Sequence, residues 1–111
     1  MKTHLLFGAA IVFLFAAQAA FGQQADLKAG KASYDKSCAT CHSADGAPKE
    51  AIAKMMKVEI PHLGSAEVQA KSDADLHKAV MEGVGKMKPV KSLDHKDVAN
   101  VIAYVRTFAK K

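Results

Sequence analysis

The two cysteines of this chain lie in one short motif, Cys38-Ala39-Thr40-Cys41-His42, and they are its only cysteines. In a helical turn, residues i and i+3 lie on the same side, with Cβ atoms about 5–6 Å apart. Two thiols at this spacing can reach one planar group from the same side. The imidazole of the next residue can then turn towards the centre of that group. The motif therefore predicts a helical turn that holds a single prosthetic group.

Several kinds of site use two cysteines at this spacing. The motif matches the signature for c-type haem attachment, in which both thiols form thioethers and the histidine binds iron. A structural disulfide is compatible with an oxidising compartment. A thioredoxin-like redox pair would need a βαβ context, and a structural zinc site would need four ligands. The chain has neither a strand pattern nor a second cysteine pair, so we expect one haem c held by Cys38 and Cys41, with His42 on the iron.

The first 22 residues have the pattern of a secretory signal peptide. Lys2 gives a positive start, an apolar segment runs over 5–17, and the small-residue sites Ala17-Gln18-Ala19 and Ala20-Phe21-Gly22 follow. A permanent membrane anchor is the alternative, but a transmembrane helix needs about 20 apolar residues. We expect a signal peptide over 1–22, cleaved between 19 and 22, and one periplasmic domain over 23–111.

Composition explains why the exported domain needs a prosthetic group. The chain is 50% hydrophobic, yet four of its five phenylalanines fall within the first 22 residues. Residues 23–111 keep only three aromatic side chains, Tyr34, Tyr104 and Phe108. Small domains are marginally stable even when they are well packed, so we expect the haem to supply the missing bulk. The composition excludes a multidomain enzyme, a collagen-like fibre and a disordered chain.

Apolar periodicity and capping residues predict an all-α domain. The last helix has the clearest signal, with Asp94 as N-cap, Asp97 at the third helical position and an apolar stripe that follows. Other N-cap candidates are Asp26, Ser65 and Ser72. We expect helices over 26–37, 50–57 and 72–82 and from 94 onwards, with a short turn over 65–70.

From residue 26 to residue 109, the chain resembles a class I cytochrome c of the small monohaem bacterial type. The resemblance rests on Gly30 and Tyr34, on the haem motif, on the loop Gly83-Val84-Gly85-Lys86-Met87 and on the segment Ala103-Tyr104-Val105-Arg106. It implies three to five helices around one covalently attached haem. It also implies that the first and last helices pack crosswise through Gly30. The position of the motif near the N-terminus distinguishes the chain from the four-helix class of cytochromes c.

The resemblance also implies that Met87 is the sixth ligand of the iron, because its Gly-rich loop can fold a side chain over the distal face. The other candidates are methionines and histidines elsewhere in the chain: Met55, Met56, Met81, His62, His77 and His95. The main rival is His62, which lies in a loop. One departure from the family is Lys88, which stands between Met87 and Pro89, where the family commonly has proline directly after the methionine.

The remaining candidates have simpler roles. Methionine at helical spacing usually packs in the core, so we expect this of Met55 and Met56. His77 and His95 fall on polar stretches of their helices, and we expect both to be exposed. Ligating histidines usually donate their second ring N–H to a second-shell acceptor. We expect a backbone carbonyl, placed by Pro48 or Pro61, to accept it from His42.

With both axial positions filled, no substrate would meet the iron. We therefore expect an electron carrier and not an enzyme. One alternative is a haem protein with an open iron site, for small-ligand sensing or peroxidase-like chemistry. Another is a dedicated electron-transfer subunit of an oxidoreductase.

The domain is basic, since loss of Lys2 leaves 15 basic and 11 acidic residues and a net charge of +4. It has no aromatic–basic motif typical of nucleic-acid binding. Lysines flank the haem motif or the methionine loop: Lys36, Lys49, Lys86, Lys88 and Lys91. We expect some of them to guide docking onto acidic patches of redox partner proteins. For any single lysine, an ordinary solvated role is the alternative. We expect a monomer without stable membrane insertion.

Overall fold

Four of the six helices in the described chain begin at a polar residue whose side chain caps them. The structure is a computed structural model that describes residues 25–110, so the predicted signal peptide lies outside the described residues. Asp26, Ser65, Ser72 and Asp94 each accept a hydrogen bond from the backbone N–H three residues ahead. Asp94 also forms a reciprocal capping box with Asp97. These starts are local side-chain-to-backbone interactions, and all four confirm the sequence prediction.

Residues 25–110 form six helices and no β-strand, which confirms the all-α prediction. The helices are α1 (Leu27–Ser37), α2 (Ala39–His42), α3 (Glu50–Met56), α4 (Ala66–Gln69), α5 (Asp73–Glu82) and α6 (His95–Arg106). Two of them, α2 and α4, are single turns of four residues, so the number exceeds the three to five expected. Within 25–110, no helix has the length and apolarity needed to cross a bilayer.

The first and last helices pack against each other at Gly30. A Cβ atom on this residue would overlap the backbone carbonyl of Asn100 in α6, so only glycine allows the approach. The buried side chain of Asn100 accepts a hydrogen bond from the N–H of Asp26 at 3.0 Å. The start of α1 is therefore hydrogen-bonded to Asn100, the same residue of α6 that Gly30 contacts.

The core lies along this helix contact. Its buried members are Tyr34, Cys38, Val101 and Val105. All three aromatic side chains of the described chain pack edge to face there, with ring centroids 5.0–5.4 Å apart. Each such pair adds about 0.5–1.5 kcal/mol beyond its buried area. The aromatic content of the domain is therefore concentrated on one side of the fold.

Helices α3 and α5 contribute less to the core. Neither α3 nor α5 contains a buried residue. The expectation that Met55 packs in the core is wrong, because its side chain is 72% exposed. In α3, Ile52 and Met56 are half-buried instead. Apolar side chains of α3 and α5 thus remain half-buried.

Two polar side chains attach the α4–α5 connection to α6. Arg106 donates to the carbonyls of Gln69 and Lys71, at 2.8 and 2.7 Å, and to the carboxylate of Asp73 at 2.7 Å. The Gln69 amide donates to the Val105 carbonyl at 3.1 Å. These bonds place the start of α5 relative to the core.

We predict that Gly30→Ala destabilises the protein although it improves helix propensity. Alanine in place of glycine in a helix contributes about 1 kcal/mol, whereas overpacking against a fixed backbone costs about 1–3 kcal/mol. Denaturant unfolding of the holoprotein should show a net loss. The matched control is Ala32→Gly at an exposed position of α1, which should lose about 1 kcal/mol from propensity alone. A higher unfolding midpoint for Gly30→Ala would contradict the close packing of α1 and α6.

Candidate functional site

The predicted haem motif forms a closed helical turn directly after α1. The His42 N–H donates to the Cys38 carbonyl and the Ser43 N–H to the Ala39 carbonyl, both at 3.0 Å. Cys38 is buried, whereas Cys41 and His42 are half-buried. Both cysteines are free thiols. The turn therefore places two thiols at i and i+3 on one side, as the spacing predicts.

Burial favours the neutral forms of two side chains of this turn, Cys38 and His42. Burial raises the pKa of the Cys38 thiol to about 11, so it is protonated at neutral pH. Burial also lowers the pKa of the His42 imidazole below its ordinary value. A neutral imidazole has a lone pair available for a metal. The turn thus presents a thiol and an uncharged nitrogen ligand without a buried charge.

One ring nitrogen of His42 has no partner in the described chain. Nδ1 is buried, and no group of residues 25–110 forms a hydrogen bond with it. The carbonyl acceptor that we expect from Pro48 or Pro61 is therefore not formed. Buried polar atoms are almost always paired, so an orphaned imidazole nitrogen marks a site with chemistry of its own. Together with two free thiols and the half-buried apolar side chains of α3 and α5, it fits a covalently attached haem.

Tyr34 holds the end of the motif in place. Its side chain is fully buried, and its hydroxyl donates to the carbonyls of His42 at 3.1 Å and Ser43 at 2.6 Å. Burial raises the pKa of this phenol above its ordinary value, so it stays a donor. Ser43 has φ +54°, a backbone conformation that costs a non-glycine residue on the order of 1–3 kcal/mol. The sequence analysis placed Tyr34 in the core but missed this role, which depends on a contact made by folding.

Met87 lies on a second turn, and its own backbone forms the hydrogen bonds that close this turn. The backbone groups of Val84 and Met87 exchange two hydrogen bonds of 2.9 Å, with Gly85 and Lys86 between them. Gly85 has φ +55°, which suits a tight two-residue turn. The side chain of Met87 is half-buried. The methionine therefore lies at the base of a rigid turn rather than in a loose loop.

This turn is attached to α3 and α5. The Lys86 ammonium donates to the carbonyl of Met56, the last residue of α3, at 2.5 Å. The Val90 N–H donates to the carbonyl of Val80 in α5 at 2.9 Å. Helices α3 and α5, neither of which contains a buried residue, thus hold the turn that carries Met87.

The rival ligand His62 is already engaged locally. Its Nδ1 accepts a hydrogen bond from the Gly64 N–H at 2.9 Å, and its carbonyl accepts one from the Ser65 N–H at 3.0 Å. Only Nε2 of this half-buried ring stays available to a ligand.

A small all-α domain with a Cys-x-x-Cys-His turn next to its core defines a c-type haem protein. Residues 27–109 match the family model for cytochrome c. The chain belongs to the cytochrome c family, with covalently bound haem c as its cofactor and haem-based electron transfer as its chemistry. Among solved structures it is similar to "KustC0563 c-type cytochrome", with 31% identity and a TM-score of 0.63 over 73% of this chain and 98% of that one. Comparison with curated proteins gave no match.

We predict that Tyr34→Phe destabilises the holoprotein. The substitution leaves the carbonyls of His42 and Ser43 without their phenolic donor, a loss of about 1–3 kcal/mol for buried groups. The measurement is denaturant unfolding followed by circular dichroism. Tyr104→Phe is the matched control, because the Tyr104 ring packs in the same cluster and its hydroxyl forms no hydrogen bond within 25–110. Equal effects of the two substitutions would show that the Tyr34 hydroxyl does not support the motif.

Proposed function

We propose that this protein is a monomeric periplasmic electron carrier whose haem has His42 and Met87 as axial ligands. The observation that carries the proposal is the pair of rigid turns. One holds two free thiols and a neutral imidazole, and the other holds a thioether. The periplasmic location rests on the signal-peptide pattern of residues 1–22.

In this proposal, each side chain has one task. Cys38 and Cys41 form the two thioether links, and His42 supplies the proximal nitrogen. Met87 supplies a soft sulfur donor, which favours the ferrous state and raises the reduction potential relative to two nitrogen ligands. The bound haem contributes a one-electron ferric–ferrous couple. With two protein ligands in place, the chain excludes small molecules from the iron.

Lysines near the methionine turn support a docking role. The five lysines singled out from the sequence are exposed, and none forms an ion pair with another residue of 25–110. Lys86 is fixed by its bond to Met56, whereas Lys88 and Lys91 have no hydrogen bond from their ammonium groups within that range. Unpaired cations of this kind attract an acidic surface over a distance of about 8–10 Å at physiological salt. We infer that they orient redox partners with acidic patches.

Replacing Met87 by alanine should open the iron to small ligands. We expect the reduced wild-type holoprotein not to bind carbon monoxide at neutral pH and Met87→Ala to bind it. The absorption spectrum measures this binding, and a pyridine haemochrome spectrum checks that both thioethers are intact. Met55→Ala is the matched control, since that side chain is 72% exposed, and it should behave as the wild type.

Two outcomes would overturn the ligand assignment. Ready binding of carbon monoxide by the wild-type protein would favour the open-site alternative. Binding by His62→Ala together with none by Met87→Ala would make His62 the sixth ligand.

Neutralising two lysines should slow electron transfer to an anionic reagent. We expect Lys88→Gln/Lys91→Gln to lower the rate of oxidation by hexacyanoferrate(III) but not by the cationic oxidant tris(1,10-phenanthroline)cobalt(III), because attraction to a local positive surface is lost. Added salt should reduce the difference in rate between the variant and the wild-type protein with the anionic oxidant. The matched control is Lys28→Gln/Lys96→Gln, which changes the net charge equally through exposed lysines of α1 and α6. If both variants slow the anionic reaction equally, only net charge matters and the local docking surface is wrong.

A further inference from the structure

Two histidines outside the haem site lie in direct contact. His77 in α5 and His95, the first residue of α6, have nearly parallel rings, with 6° between the planes and centroids 5.0 Å apart. The distance from His77 Nε2 to His95 Nδ1 is 3.2 Å. The sequence analysis expected both side chains to be exposed. His95 is exposed but His77 is half-buried, and their pairing across two helices is not visible in the sequence.

The spacing of these nitrogens suits a shared metal ion. Metal–imidazole bonds are about 2.0–2.1 Å long. Two nitrogens 3.2 Å apart therefore subtend an angle of about 100–105° at such an ion, close to the tetrahedral value. His95 is exposed and His77 is half-buried, so rotation of the two side chains would be needed to turn both lone pairs towards one point. The two nitrogens lie within hydrogen-bond distance of each other, and a bound metal ion would replace that hydrogen bond.

The surroundings supply space and further donors. The two rings line a shallow, solvent-open depression together with Ala74, Lys78, Met81 and Glu82. Glu82 brings a carboxylate, although Lys78 lies 3.9 Å from it, and Met81 brings a thioether. Asp94 and Asp97 add negative charge at the start of α6, beside His95. The remaining positions of a metal ion are open to water and to these groups.

We propose that His77 and His95 form a binding site for a divalent transition-metal ion, bridging α5 and α6. Imidazole ligands suit both copper and zinc, and affinities generally follow the order in which Cu²⁺ exceeds Zn²⁺. A thioether in the wall of the depression also favours copper in its reduced state. Residues 25–110 contain no group of three or more His, Cys, Asp or Glu arranged to hold a metal. The site is therefore a two-histidine, solvent-open one rather than a closed structural site.

The test is titration of the oxidised holoprotein with ZnCl₂ and CuCl₂ in a non-chelating buffer, followed by calorimetry. We expect one ion per chain and tighter binding of Cu²⁺. We also expect Zn²⁺ to raise the thermal unfolding midpoint, because an ion that binds only the folded protein stabilises it. His77→Gln and His95→Gln should each weaken binding by more than the roughly 10–100-fold that loss of a second-shell partner costs. Each should also abolish the midpoint shift.

His62→Gln is the matched control, because it removes one imidazole from a loop and should leave both titrations unchanged. Two results would overturn the site. One is wild-type affinity in the His77→Gln/His95→Gln double variant. The other is loss of binding in His62→Gln. Because no step requires Met87 or a particular reduction potential, failure of this site would leave the electron-carrier proposal intact.

Discussion

The backbone of Gly30 lies against the carbonyl of Asn100, with no side chain between α1 and α6 at that point. One helical turn later, Tyr34 is fully buried, and its hydroxyl reaches beyond the end of α1 to the His42 carbonyl. A helix advances 1.5 Å per residue. The contact at Gly30 therefore fixes the position of the end of α1 and of Cys38, which directly follows it. The haem motif is short and local, but its position in the fold is set by this long-range packing.

The same packing divides the domain into two unequal sides. All three aromatic rings of the described chain lie in one cluster beside α6, whereas α3 and α5 bury no residue fully. The scarcity of large side chains that the sequence shows therefore affects mainly the part of the domain formed by α3 and α5. The part of the domain formed by α3 and α5 carries the Met87 turn, and it lacks large buried side chains. A covalently attached haem packed there would supply the missing bulk, and the cofactor would then be part of the packing as well as of the chemistry.

Local signals in the sequence predicted more than distant ones. The caps at Asp26, Ser65, Ser72 and Asp94 follow from bonds between residues three apart, and the Cys-x-x-Cys-His spacing is equally local. The hydrogen bond from the N–H of Asp26 to Asn100 spans 74 positions, and nothing in either segment alone predicts it. The Tyr34 hydroxyl bond and the pairing of two histidines likewise depend on which helix faces meet. The missing acceptor for His42 Nδ1 shows that a nearby proline alone does not place a carbonyl.

Lys88, which separates Met87 from Pro89, is accommodated without loosening the methionine turn. Pro89 still packs at the base of this turn, because a Cβ on Gly83 would lie 2.6 Å from the Met87 carbonyl oxygen and 2.9 Å from the proline ring. Gly83 also has φ +80°, so glycine is required there on two grounds. The extra residue is exposed and extends the positively charged surface. Since Lys86 and Val90 attach the turn to α3 and α5, these two helices set the position of the Met87 backbone.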